Sequence, residues 1–188
     1  NSIGDNVLNS TNMVTEPRHR MYDDDYIKKI ADTAIFTAKN NGASYSDFRL
    51  SNFRSQNVST REQVIQSIRD NENFGFAVRV IIDGTWGFAA SSTFSEDEVV
   101  KITIAACTIA KANKIIQRNK VELTTVPVYN ETWSTPIKKN AFEVSIDDKV
   151  NFLFSINEKA KNLGADFCNS FIWAVNEWKY FASSEGSY

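Results

Sequence analysis

The stretch Phe74–Ser92, FGFAVRVIIDGTWGFAASS, constrains the fold more than any other part of this chain. Its first arm is rich in Phe, Val and Ile, which suit a half-buried pleated surface. Asp83-Gly84 follows, the dipeptide favoured in two-residue type I′ hairpin turns because both turn residues need positive φ. Thr85–Ser91 then returns as TWGFAAS. A hairpin of this kind commits the chain to an antiparallel sheet. Gly75 and Gly87 lie inside the two arms, where glycine weakens a strand unless something approaches closely. The pattern therefore predicts that a large group, either Trp86, Phe88 or a helix, packs against the hairpin.

Helical patterns flank it. Asp23, Asp24 and Asp25 place negative charge at a helix start, where capping and the helix dipole favour it. Ile27, Ile30, Ala31, Ala34, Ile35 and Ala38 then recur at helical spacing, and Asn41-Gly42 closes a helix of about Asp24–Asn40. Ser95, three residues before Glu98, has capping-box spacing and opens a helix expected to reach about Asn119. A third helix is expected over Asp147–Leu163, stopped by Gly164. Ser46–Arg54 and Val58–Ile68 read as half-buried strands, with a turn at Asp70–Asn73. Asp166–Val175 and Trp178–Ser183 read as two more around Asn176-Glu177. Val121–Ala141 reads as a crossing loop, with room for one short strand at Thr124–Tyr129. Helices arriving in blocks around hairpin-linked strands predict an α+β fold, with an antiparallel sheet of about six strands against two to three α-helices. Residues 1–22 are polar and aperiodic and read as a flexible arm; residues 23–188 read as one domain.

Little in the chain carries chemistry. It has one histidine, His19, and no CxxC pair, so it cannot assemble an ordinary zinc site by itself. Phosphate-binding glycine loops, HExxH and GxSxG are absent. Cys107 and Cys168 match no metal spacing and read as buried free thiols. Arg79 and Asp83 read as a solvated sheet position and a turn residue, or as members of an ion pair. Trp86, Trp133, Trp173 and Trp178 read as core or interface anchors. A net charge of -2 with dispersed Lys and Arg argues against direct nucleic-acid binding. No apolar run is long enough to span a membrane, and the N-terminus has no apolar stretch of the signal-peptide kind.

One resemblance adds to this reading. Gly42–Arg49, GASYSDFR, follows a helix and precedes the strand pair, the hairpin and a Ser-capped helix. That succession resembles the N-terminal domain of the TldD/PmbA family, named as modulators of DNA gyrase. Gly75, Val78, Arg79, Val80, Asp83, Gly84, Trp86, Gly87, Phe88 and Ala89 match the family pattern position by position, while Phe76 and Ala77 depart from it. Val-Arg-Val and Gly-Phe-Ala look more like the TldD branch than the PmbA (TldE) branch. The resemblance covers roughly residues 24–188.

The resemblance implies a parent protein that is a zinc-dependent peptidase acting as a dimer on unfolded peptides. In the family a HExxxH or HExxxD helix lies beyond a closing Ser/Thr-(Asp/Glu)-Gly turn, which Ser184-Glu185-Gly186 resembles. No catalytic or metal residue is therefore expected in this chain, and zinc is expected in the parent's C-terminal domain. Gly75, Arg79, Asp83, Gly84, Trp86, Gly87 and Phe88 are expected to act structurally or to wall a cleft. The expected function is that of a non-catalytic N-terminal domain, contributing to a homodimer or to a heterodimer with a TldE-like sister subunit. A stand-alone peptide- or protein-binding module is the alternative. The resemblance implies a cytoplasmic location, with an exported form left open.

Overall fold

In the computed structural model, which describes residues 17–188, two long antiparallel strands set the scale of the molecule. They are β1, Tyr45–Arg61, and β2, Val64–Ile82. β3, Thr85–Ser91, and β4, Asn169–Ser183, complete one four-stranded sheet in the order β3-β2-β1-β4, with every neighbouring pair antiparallel. The helices are α1, Asp24–Asn40, α2, Glu96–Asn113, and α3, Ile146–Asn162.

Fold class agrees with expectation, but among the described residues the strand count is four rather than six. Asp70–Asn73 is not a turn. Asp70 pairs with Gln56 and Asn73 with Phe53 in the ladder. Cross-strand bonds hold that polar stretch: Arg54 donates to both Asp70 oxygens at 2.9 and 2.8 Å, and Asn52 donates to Glu72 at 2.9 Å. The true turn is Glu62-Gln63, where Glu62 takes φ 54 with no glycine to announce it. Asn176-Glu177 is likewise strand interior, paired with Arg54 and Phe53. Thr124–Tyr129 belongs to no strand of the sheet, and α2 stops at Asn113, six residues short of the expected end.

Local signals at the helix starts behaved as their chemistry dictates. Asp23 accepts from Tyr26 N–H at 2.6 Å and Ser95 accepts from Glu98 N–H at 3.3 Å. All three helices lie on one face of the sheet. Even-numbered β1 residues Phe48 and Leu50 pack with β2 residues Phe76, Val78 and Val80 against Ile27, Ile30, Ala34, Val99 and Ala106, forming the main core. A smaller cluster of Val58, Val150 and Leu153 seats α3 on the distal half of the hairpin. There the contact is largely polar: Asn157 donates to Thr60 Oγ1 at 3.1 Å and to the Glu62 carbonyl at 2.8 Å, and the buried Lys149 bonds Gln56.

Of the expected N-terminal arm, residues 1–16 lie outside the described residues. Arg18–Met21 forms a 3-10 turn, and the Tyr22 ring stacks on Phe74 with centroids 5.7 Å apart.

Candidate functional site

Odd-numbered residues of β1 point to the sheet face that none of the described helices covers. Near the hairpin this face carries one unusual feature, a carboxylate with no solvent exposure. Asp47 stands directly across from Arg79 on β2 and from Ser183 on β4. Arg79 donates through Nη2 at 2.7 Å and through Nε at 2.9 Å to Asp47 Oδ2. Arg49 Nε reaches Oδ1 at 3.2 Å, and the Tyr45 hydroxyl donates to Oδ2 at 3.1 Å. Burying a carboxylate is costly unless it is paired and hydrogen-bonded, and here both conditions hold.

The two guanidinium groups rest on aromatic rings. Arg79 lies 5.0 Å from the Trp86 ring centroid, and Arg49 lies 5.5 Å from that of Phe181. Tyr45 meets Trp86 edge-on at 5.8 Å. Burial pushes the Tyr45 phenol up to about 12, and the neighbouring Asp47 charge adds to that shift. The hydrogen bond to Asp47 raises the Arg79 pKa as well, so its charge is permanent at any working pH. Both Asp47 oxygens are occupied and shielded, so the carboxylate is an anchor and not a base. The cluster places fixed positive charge and aromatic surface on the uncovered face.

The expected site residues divide by location. Arg79, Trp86 and Phe88 share the open face, with Phe88 more than half exposed. Asp83 and Gly84 form the turn, at φ 53 and 79. Asp83 binds Lys114 at 2.7 Å, and the Gly84 carbonyl accepts from Val121 N–H at 2.8 Å, so the chain leaving α2 crosses the hairpin tip closely. Gly87 faces the other way. A Cβ there would meet the Ala106 carbonyl oxygen at 2.0 Å, which makes α2 the close neighbour that the glycine accommodates. At Gly75 a Cβ would meet the Ser91 carbonyl oxygen at 2.8 Å, so strand backbone rather than a bulky side chain explains that position.

Arg79 thus serves an ion pair, while Asp83 is a turn residue with an exposed lysine partner. Trp86 and Trp178 are half-buried, but Trp133 and Trp173 are largely exposed and anchor no core. Cys107 and Cys168 are both buried and free. Asp47, Arg49, Tyr45 and Phe181 escaped sequence reasoning. Their convergence depends on cross-strand register, which a misplaced turn hides. Beside the cluster is a depression of about 470 Å³, bordered by Lys39, Tyr45, Ile81, Leu123 and Glu185 among others.

Residues 46–110, which span β1, the hairpin and nearly all of α2, match the family model for the PmbA/TldA metallopeptidase domain 1. Over that segment the chain resembles a first domain of the PmbA/TldD type. A metalloprotease of Methanocaldococcus jannaschii is 25% identical to it over 148 residues, covering 76% of this chain and 32% of that protein. Among solved structures, a Bacteroides thetaiotaomicron protein named as a modulator of DNA gyrase superposes with a TM-score of 0.63 at 18% identity, covering 85% of this chain and 37% of the other. TldE from Thermococcus kodakarensis superposes with a TM-score of 0.61 at 15% identity, covering 84% and 35%. The chain therefore spans about a third of the length of these relatives.

The relative's name implies a metal, and the described residues of this chain do not supply a site for one. No group of three or more His, Cys, Asp or Glu side chains among them converges to hold an ion. Among the same residues, no helix is long and apolar enough to cross a membrane.

Proposed function

We propose that this chain is the non-catalytic N-terminal part of a TldD-like zinc metallopeptidase, with residues 23–188 walling the cleft that receives unfolded peptides. The observation that carries the proposal is the Asp47-anchored pair of guanidinium groups on an uncovered sheet face, inside the segment that matches the family model. Gly75, Arg79, Asp83, Gly84, Trp86, Gly87 and Phe88 then have two duties. Gly75, Gly84 and Gly87 permit close backbone packing, and Asp83 shapes the turn. Arg79, Trp86 and Phe88 face the peptide, where cationic and aromatic groups contact an extended chain without demanding one sequence. Zinc and the hydrolytic groups belong to the C-terminal part of the parent. The parent works as a dimer, with itself or with a TldE-like sister subunit, in the cytoplasm.

The test uses the chain expressed to the end of its open reading frame. Phe88→Ser removes an exposed ring that supports no core contact, so stability should change by less than about 0.5 kcal/mol. The proposal expects KM for an unfolded peptide to rise several-fold with little change in kcat. An unchanged KM would remove Phe88 and its face from the cleft.

A further inference from the structure

Among the described residues, the outer edge of β4 is the most conspicuous unpaired surface. Ser184 N–H turns inward to the Ser46 carbonyl at 2.8 Å. The odd-numbered residues of β4 therefore direct their backbone N–H and C=O groups away from β1. Phe171, Trp173, Val175, Glu177, Lys179, Phe181 and Ser183 make up that outward row, and β4 is the last strand of the sheet. From Asn169 to Val175 the strand carries no charged residue, while Phe171 and Trp173 are 68% and 66% exposed. Natural proteins blunt long edges of this kind with charge, proline or a covering element. Here only Glu177 and Lys179 interrupt the edge.

At the end of the strand the chain turns back on its outer side. Ser183 N–H, the last of the outward row, donates to the Ser187 carbonyl at 2.9 Å, and Gly186 N–H donates to the Ser183 carbonyl at 3.1 Å. Gly186 takes φ 96. A short loop closed by a bond between its flanking residues, with glycine in the left-handed region, is the geometry of a β-hairpin loop. Ser187 thus stands where the first residue of a strand returning along β4 would stand. Tyr188 N–H points to the opposite side and donates to the Tyr129 carbonyl at 3.0 Å, and Tyr129 N–H donates to Ser187 Oγ at 3.2 Å. Alternation of this kind, with one residue bonding left and the next bonding right, is how a strand sits between two neighbours.

We infer that the outer edge of β4 is a docking surface for the polypeptide that follows Tyr188 in the parent protein, which adds as a fifth antiparallel strand. The inference rests on the proposed function, in which the parent continues past this chain, and it accords with relatives of which the match covers only 32% and 37%. The added strand extends the uncovered face carrying Phe171, Trp173 and Val175, and joins the Asp47 cluster to the remainder of the protein. Val126–Asn130 then flanks the new strand on its far side.

Amide hydrogen exchange on this 188-residue chain and on the chain read to the end of its open reading frame tests the inference. Amides of Phe171, Trp173, Val175, Glu177, Lys179 and Phe181 should exchange roughly 100-fold more slowly in the longer protein, while inward amides of the same strand change little. Val175→Pro supplies a second readout. Proline is tolerated where the lost N–H faces solvent and costly where it pairs in a ladder. It should leave the 188-residue chain's melting temperature nearly unchanged and lower that of the longer protein. Equal exchange in both proteins, or an equal proline effect, overturns the inference alone. Protection that appears in the 188-residue chain with rising concentration overturns it in favour of a second copy. A stop codon directly after Tyr188 overturns both the inference and the proposed function.

Discussion

Gly87→Ala tests the packing of the hairpin more sharply than any other substitution. The new methyl carbon would sit 2.0 Å from the Ala106 carbonyl oxygen, 2.7 Å from Ala110 N and 2.9 Å from Ala110 Cβ. Carbon–oxygen contacts ordinarily begin near 3.3 Å, so β3 and α2 must separate by roughly 1.3 Å. Two of the three close atoms are helix backbone, which cannot rotate aside. α2 packs on the sheet through Val99, Thr103, Ala106, Cys107 and Ala110, and a gap of even 0.5 to 1 Å forfeits about a quarter to a half of each contact's attraction. Overpacking of this severity costs about 3 kcal/mol, offset by about 0.5 to 1 kcal/mol from replacing a strand glycine with alanine. The net expectation is a loss of about 2 to 2.5 kcal/mol. In urea denaturation followed by tryptophan fluorescence, with a slope of roughly 2 kcal/mol per molar, the midpoint should fall by about 1 M at unchanged slope. Adding Ala110→Gly should not rescue the variant, because the shortest contact is to backbone. A midpoint shift below about 0.3 M, or full rescue by Ala110→Gly, would refute the reasoning.

Three further outcomes follow from the charged groups. Asp47→Asn keeps the shape of the anchor but loses its charge, and urea denaturation should show a loss of about 2 to 3 kcal/mol, below the cost at a fully buried pair because Arg49 and Arg79 can rehydrate. The Asp70 carboxyl is held below its ordinary range mainly by its hydrogen bond from Arg54. A depressed folded-state pKa gives stability that is full above the unfolded value and lost as pH falls, so Asp70→Asn should flatten the stability profile below about pH 4. Tyr45 has the opposite sign. With its phenol raised to about 12, its contribution is complete below the unfolded value near 10 and lost as pH climbs through 12, so Tyr45→Phe should reduce the alkaline loss measured by denaturation between those limits.

How far the sequence disclosed this fold depended on where the signal was local. The Asp83-Gly84 turn and the Asp23 and Ser95 caps are each decided within about four residues, and all three were legible. Gly87 was legible as a close approach, though only the structure identified α2 as the neighbour. The long hairpin of β1 and β2 was not legible, because its turn uses Glu62 in a conformation usually left to glycine, while the polar run Asp70–Asn73 imitates a turn. That single error displaced the register. Register is what brings Tyr45, Asp47, Arg49 and Arg79 together from two strands, and Phe181 from a third. A charged residue in a strand reads as solvent-facing until its cross-strand partner is known, so the buried Asp47 left no local trace.

On the proposed function, the hairpin lies in a cleft wall and the chemistry lies beyond Tyr188. Peptide hydrolysis by the 188-residue chain and by the product of the whole open reading frame, each assayed with zinc and with a chelator, tests that placement most directly. The account predicts no turnover from the 188-residue chain under either condition, and zinc-dependent, chelator-sensitive cleavage of unfolded peptides by the full product. Robust zinc-dependent turnover by the 188-residue chain alone would contradict it.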